Sequence, residues 1–513
     1  MPGHGLLPTS PPPAQEVLFR WLDDHNIHRS DALDIFHSPD SGWGVRANRP
    51  MSVGEIICQI PKTALLSART TSLPQLIPLK DSTVTSHAIF YLALVVLHEL
   101  RLGPESRFWG YTQMLPRETV LLPVLWRVKE LAGDDGTFAW LWLKGTEAER
   151  DLNRKDLERL SLEDLETFYL ATSIHMPPTS THISPSPFLA YLHAYSLVCT
   201  RAFLIDLYHT VALCPFAELF NHSSLHPHSS LASDDFVCHV CGSLAPCLHD
   251  IPSTTGVVRR LGHLPTAERV RIDAEVDSVE MRVENEVMEG EEIMNTYGEG
   301  MSDGRVLIEW GFLGEEFVGV GVGWDMRELS GDDLVRGLWE SLLERDRIAS
   351  EVFDGIGGGG GDGERLMCRS AIGGHESMGL AESGEISVNL FAYLYVCGLD
   401  AISNDIVTVE EGAVSAAREV ETAWARLHGS DQEHDLQMSL DTTQAIRAIL
   451  HLLDDQLARM HRPELSLEEL FEMRDTLPAN AKLQRMAMTL AANTKALINS
   501  TREKWSDLLD RCL

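Results

Sequence analysis

Cys238, Cys241, Cys247 and His249 fall close together in the chain, spaced C-x2-C-x5-C-x-H. Three thiolates and an imidazole are a tetrahedral zinc set, and an irregular loop gains most from such a clip. The alternative is a polar loop whose thiols are free. Zinc here would be structural, because this set leaves no open ligand position. Elsewhere, single polar residues end or interrupt apolar runs. Arg201 stands in TRAF (200–203), and a buried arginine needs either a structural ion pair or a ligand to face. Asn221 and His222 close the apolar segment of AELFNHSS (217–224). Such a pair either caps a segment or holds an adenine edge and an amino-acid moiety by hydrogen bonds. Tyr297, between Thr296 and Gly298, reads on its own as a core tyrosine with a satisfied hydroxyl. In SGWGV (41–45), a Gly-x-Gly turn before a strand, missing Cβ atoms would let a ligand lie directly on the backbone.

Distant elements must bring these residues together. Residues 1–15 read as a disordered tail, rich in Pro, Gly and Ser over 1–13. QEVLFRWLDDHNI then forms a short amphipathic helix, and residues 41–66 read as β structure, with a strand over 55–60 ended by Pro61. Residues 86–200 read mostly as helix, broken at Pro104, Pro116, Pro123 and the loop PPTSTHISPSP. Its strongest apolar run, AIFYLALVVL, is about half the roughly 20 residues that span a bilayer, so it reads as a buried helix. An irregular insert follows at about 226–270. Val279, Met281 and Val283 then alternate with charged residues as a half-buried strand. Beyond residue 330 the pattern turns helical: Ile446, Ile449, Leu453 and Leu457 recur at helical spacing, as do Leu483, Met486, Leu490 and Leu497. GIGGGGGDGE (355–364) reads as a flexible surface loop.

The order and spacing of the segments are more specific than any one of them. A Gly-x-Gly near the start comes first. An RAF-to-NH gap, then GEE-x5-YG, and a WGF block after it complete the series. The set resembles the SET domain, and in particular the SET family that includes the Rubisco large-subunit methyltransferases and the actin-histidine methyltransferases. PESRFWGYTQMLP resembles that family's Ser-x-x-Trp-x-Tyr-x-x-x-Leu-Pro block. The resemblance covers about residues 16–313 by motif and 330–510 only by architecture. It implies an α+β fold: a SET domain of small β-sheets and a pseudoknot, with a helical insertion and an all-α C-terminal substrate-binding domain. It further implies S-adenosyl-L-methionine as cofactor, with Ser41, Gly42, Trp43, Arg201, Asn221 and His222 around it. Tyr297 would be the catalytic residue, and Phe203, Glu218 and Trp310 would line the acceptor channel. Trp310 replaces the tyrosine usual before Gly-Phe, and Glu218 stands where an Asp is common. The family's usual pattern does not include the Cys/His cluster.

The activity implied is protein-lysine N-methylation of a non-histone protein. Histidine methylation is the alternative within the same cofactor chemistry, and a silent SET fold used as a binding module is the alternative outside it. An interaction protein built on the zinc insert is a third class. Lys+Arg 42 against Asp+Glu 76 gives a net charge of -34, which repels phosphate backbones and so argues against direct nucleic-acid binding. The same charge suits a basic substrate such as a ribosomal or translation protein. With sparse cysteines and no signal-peptide pattern at the start, the chain is expected in the cytoplasm or nucleus, without a membrane anchor and monomeric by default.

Overall fold

Short strands punctuated by Gly and Pro build small sheets rather than one large one. In chain order, the strands of the N-terminal body are β1 (His28–Arg29), β2 (Leu33–Ser38), β3 (Gly42–Ala47), β4 (Ile56–Pro61), β5 (Leu66–Ser67), β6 (Ala202–Leu204), β7 (Val211–Leu213), β8 (Ser229–Ser233) and β9 (Ser278–Val283). The computed structural model describes residues 14–38, 41–73, 85–153, 161–174, 176–177, 186–234, 236–250, 259–274, 276–298, 301–314, 320–324, 378–381, 383–398 and 440–512, with a few single positions between them. The tail over 1–13 and the Gly-rich run 355–364 lie outside the described residues. Ala14 and Gln15, counted with that tail, instead open the first helix (Ala14–Asp24).

β1, β4, β9 and β8 form an antiparallel sheet in that order, β2 and β3 form a hairpin, and β5, β7 and β6 form a third sheet. The alternation in β9 does what its pattern implies: Val279, Met281 and Val283 are at most 1% exposed, and Met281 pairs with Cys58 of β4. The insert read as irregular contributes β8, whose Leu231 pairs with Met281. β8 is the last strand in that order, and its Ser229 bridges on to Asn295.

The apolar run lies in the helix Thr85–Leu102, where every residue from 90 to 97 is at most 4% exposed. It lies against the helix Pro187–Arg201, whose Tyr191 hydroxyl donates to the Phe90 carbonyl at 3.3 Å. Among the described residues no helix is long and apolar enough to cross a membrane.

The chain divides into two compact units. The first holds residues 1–125, 155–299 and 309–311, and the second holds 126–154, 300–308 and 312–513. Residues 126–154, read as part of the helical insertion, thus group with the C-terminal helices. The reason is local: the Asp135 carboxylate accepts the backbone N–H groups of Leu483 and Gln484, each at 3.0 Å. It thereby caps the start of the long helix Lys482–Cys512. The helix Leu440–Arg459 buries Ile446, Ile449 and Leu453, on the face that its periodicity marks.

Behind β4, Lys62 ties the first unit together. Its ammonium reaches Asp206 Oδ2 at 2.8 Å and Asp277 Oδ1 at 3.0 Å, and donates to the Asp234 carbonyl at 2.9 Å. Lys62 is 3% exposed, so these contacts hold a cation inside the body.

Candidate active site

The β2–β3 hairpin supplies the first wall. Gly42 has φ +76°, a left-handed conformation that glycine adopts without strain. Gly44 is required for a different reason: a Cβ there would lie 2.7 Å from Phe36 Cζ and 2.8 Å from Glu292 Oε1. We expect Gly44→Ala to lower stability by about 1–3 kcal/mol through this crowding. A denaturation midpoint equal to wild type would refute the close approach. Trp43 lies edge-on to His37 at 5.0 Å, while Ser41 is exposed.

Next comes a threaded crossing. The Asn295 N–H donates to the Asn221 carbonyl at 2.7 Å, and the Ser223 N–H donates back to the Asn295 carbonyl at 3.0 Å, as in a parallel bridge. The Ile293 N–H donates to the Val45 carbonyl at 2.8 Å, so the same segment also edges the hairpin. Asn221 Nδ2 donates to Glu292 Oε1 at 2.7 Å and to the Trp43 carbonyl at 3.4 Å. This is the pseudoknot that the resemblance implies, with the Asn-His and Tyr-Gly segments side by side.

His222 is fully engaged within it. Its Nδ1 accepts the Tyr297 backbone N–H at 3.0 Å, so Nδ1 carries no proton and Nε2–H is left to donate to Ser224 Oγ at 2.8 Å. Burial lowers its pKa, in keeping with a neutral ring. The imidazole stacks on Tyr297 at 4.9 Å between centroids, and Trp310 covers Tyr297 at 5.3 Å. The Asn221 and His222 side chains thus hold the crossing itself.

Arg201, Phe203, Glu218, Thr296, Tyr297 and Trp310 line one cavity of about 150 Å³. Arg201 ends the helix Pro187–Arg201, Phe203 sits on β6, and Glu218 lies in a short turn after the buried Phe216, whose φ of 78° bends the chain. Glu218 is 6% exposed, and its carboxylate oxygens have no hydrogen-bond donor among the described residues. Arg201 Nη1 stands 3.9 Å from Glu218 Oε2, and Arg201 Nε is buried without an acceptor among the described residues. Burial pushes the Glu218 carboxyl up, against the pull of Arg201. The Tyr297 hydroxyl donates to the Phe220 carbonyl at 3.1 Å, and burial pushes its pKa up to about 12. It is therefore a neutral phenol at ordinary pH. Nearby, the buried Asn295 side-chain amide has neither donor nor acceptor partner among the described residues.

Of the residues expected from sequence, the structure brings Arg201, Phe203, Glu218, Tyr297 and Trp310 to one cavity and joins Trp43 to Asn221. Sequence reasoning missed Gly44, Glu292 and Asn295. The second glycine of Gly-x-Gly and the paired acids of GEE were the available signals. Cys238, Cys241, Cys247 and His249 also come together: their ligand atoms all lie within 4.8 Å of one another, so this group has the make-up of a structural zinc site.

The crossing, small sheets and C-terminal helices define the SET-domain fold with a large helical C-terminal region. Among solved structures the chain is similar to Rubisco LSMT bound to AdoMet, with TM-score 0.57, 14% identity, and 98% of this chain and 93% of that one covered. It is also similar to the SET domain of LSMT bound to lysine and AdoHcy, with TM-score 0.56, 15% identity, and 96% and 91% covered. Among curated proteins it is similar to ribosomal lysine N-methyltransferase 3 of Saccharomyces cerevisiae, 25% identical over 329 residues. That match takes in 54% of this chain and 58% of the yeast protein's length. No protein-family model matches the chain. The resemblance read from the sequence motifs is borne out.

Proposed function

We propose that the protein is an S-adenosyl-L-methionine-dependent protein-lysine N-methyltransferase whose substrate is a non-histone protein. The observation that carries this reading is the single cavity shared by Arg201, Phe203, Glu218, Tyr297 and Trp310, residues separated by up to about a hundred positions in sequence. The structure has polar groups suited to such a ligand: the buried Arg201 Nε without an acceptor, the orphaned Asn295 amide, and the open space beside Gly42. Arg201 would face a carboxylate. The 41–44 backbone and the crossing strands would hold the rest of the cofactor. When bound, that cofactor supplies a methyl group already activated by the sulfonium charge.

The protein's task is then alignment and water exclusion. An ammonium has no lone pair, so the lysine must enter as a neutral amine, and burial favours that form. With its proton directed to Phe220, the Tyr297 oxygen keeps lone pairs free to accept an amine N–H and orient the nitrogen. Trp310 and Phe203 supply an apolar wall. Lysine is preferred to histidine because solved structures of this fold are described with lysine, MeLysine and monomethyllysine bound. A ribosomal substrate is supported by the name of the yeast relative and by the net charge of -34, which attracts basic proteins. Action in the cytoplasm or nucleus fits that substrate.

Calorimetry with S-adenosylmethionine tests the cofactor, and labelling of a ribosomal protein pool tests the acceptor. Asn221→Ala removes the hydrogen bonds to Trp43 and Glu292, so binding should weaken about tenfold to a hundredfold. Absence of binding by the wild type would sink the proposal. Label found on methyl-histidine alone would replace lysine by histidine.

A further inference from the structure

The loop after β8 takes no part in the chemistry proposed above. Its own core is four buried residues, Val237, Leu244, Leu261 and Ile272, with the partly buried Tyr208, Phe236, Ala245 and Leu264 packed against them. So little apolar burial does not hold an irregular segment by itself. Its backbone is nevertheless closely ordered around one cysteine. The Gly242 N–H donates to the Cys238 carbonyl at 2.7 Å, and the Cys238 N–H donates to the Ser243 carbonyl at 2.9 Å. Gly242, at φ +73°, lets the chain leave this tight turn.

The other half of the cluster is held from outside. Arg260 donates to both carboxylate oxygens of Asp250, at 2.7 and 3.0 Å. It also donates to the carbonyls of Phe236 at 3.0 Å, Leu244 at 2.7 Å and Ala245 at 2.6 Å. Asp250 Oδ2 in turn accepts the Cys247 N–H at 2.6 Å. This is how residues outside a metal's ligands fix their direction. Bond lengths of ~2.3 Å to sulfur and ~2.0 Å to nitrogen require a tetrahedral S···N separation of roughly 3.5 Å. Cys247 Sγ lies 3.7 Å from His249 Nδ1, and no pair of the four ligand atoms is more than 4.8 Å apart.

We propose that Cys238, Cys241, Cys247 and His249 bind one structural zinc ion, and that the knuckle it locks seats Tyr208 and so braces the β6–β7 turn. The contact is close: a Cβ on Gly242 would lie 2.5 Å from the Tyr208 ring. The Arg69 guanidinium lies over the same ring at 4.5 Å and donates from Nε to the Tyr208 carbonyl at 3.1 Å. Tyr208 follows β6, the strand that carries Phe203 to the cavity. Binding deprotonates the three thiols and leaves His249 neutral, so zinc uptake releases protons to solvent. A thiolate-rich set selects zinc over magnesium or calcium.

The test uses the full chain purified under reducing conditions. Elemental analysis should find one zinc per chain, and cobalt(II) should replace it with the absorption of a tetrahedral thiolate complex. Removing zinc with a chelator should speed amide exchange over 236–250 and 206–210 while leaving the β4–β9 pairing unchanged. Cys241→Ser, at an exposed ligand, should weaken zinc binding at least about tenfold without unfolding the sheet. Absence of zinc together with no cobalt uptake overturns the site, as does wild-type zinc affinity in Cys241→Ser. Metal binding with unchanged exchange over 206–210 overturns the brace. None of these readouts involves turnover, so their failure is distinct from failure of the methyltransferase reading.

Discussion

Tyr297→Phe should lower kcat for methyl transfer roughly 10²–10³-fold, the scale on which one positioned polar contact in a reacting centre acts. The substitution is narrow. The ring keeps its stacking on His222 at 4.9 Å and its contact with Trp310 at 5.3 Å, so the cavity keeps its shape. Only the hydroxyl and its bond to the Phe220 carbonyl are lost, which costs about 1 kcal/mol of stability. Binding of S-adenosylmethionine should change little, separating this variant from Asn221→Ala. The pH profile adds a second reading. With its pKa pushed up to about 12, Tyr297 stays protonated through the neutral range. The rise of rate with pH then reports the lysine amine, and should keep its midpoint in Tyr297→Phe. Retention of wild-type kcat would remove Tyr297 from the reaction.

Lys62→Met should cost about 3–5 kcal/mol, because it removes one partner of a buried ion pair and strands the other. Asp206 is 6% exposed and would keep only its local donors, the backbone N–H groups of Tyr208 and His209 and the His209 ring. Burial alone would push the Asp206 carboxyl up. Hydrogen bonds from His209 and then Lys62 outweigh this and hold it well below the usual carboxylate range. A depressed folded-state pKa means the charged form stabilises the fold above the unfolded value of about 3.9, and this is lost as pH falls toward the folded value. The variant should therefore show a lower urea midpoint at neutral pH and a shallower further loss on acidification. An unchanged midpoint would mean that Lys62 does not hold the first unit together.

Features that follow from local pattern were legible in the sequence. Alternation over 279–283 marks β9, and the cation inside TRAF marks Arg201 because a charge there must have a reason. The motif order singled out Tyr297, Phe203 and Glu218, which the fold brings to one cavity. Register decided what was not legible. Glu291 and Glu292 are adjacent, and only the crossing with β3 determines which of them meets Asn221. Lys62 after Pro61 reads as an ordinary surface cation, since Asp206 and Asp277 become its neighbours only through the fold. Asn221 and His222 were read as ligand holders. Their side chains also bond to Trp43, Glu292, Ser224 and Tyr297, contacts that no spacing rule reveals.

The crossing at Asn295 also fixes an order of assembly. Val45 and Asn221 both offer carbonyls to a segment that begins only at Ile293. During synthesis, the hairpin and the Asn-His segment must wait for a strand made much later, at the entropic cost of closing long loops. The pocket is thus among the last features to form. Refolding should be slow at this point even where the helices have already collapsed, and a nascent chain stopped before Ile293 would carry most of the pocket's residues without a pocket.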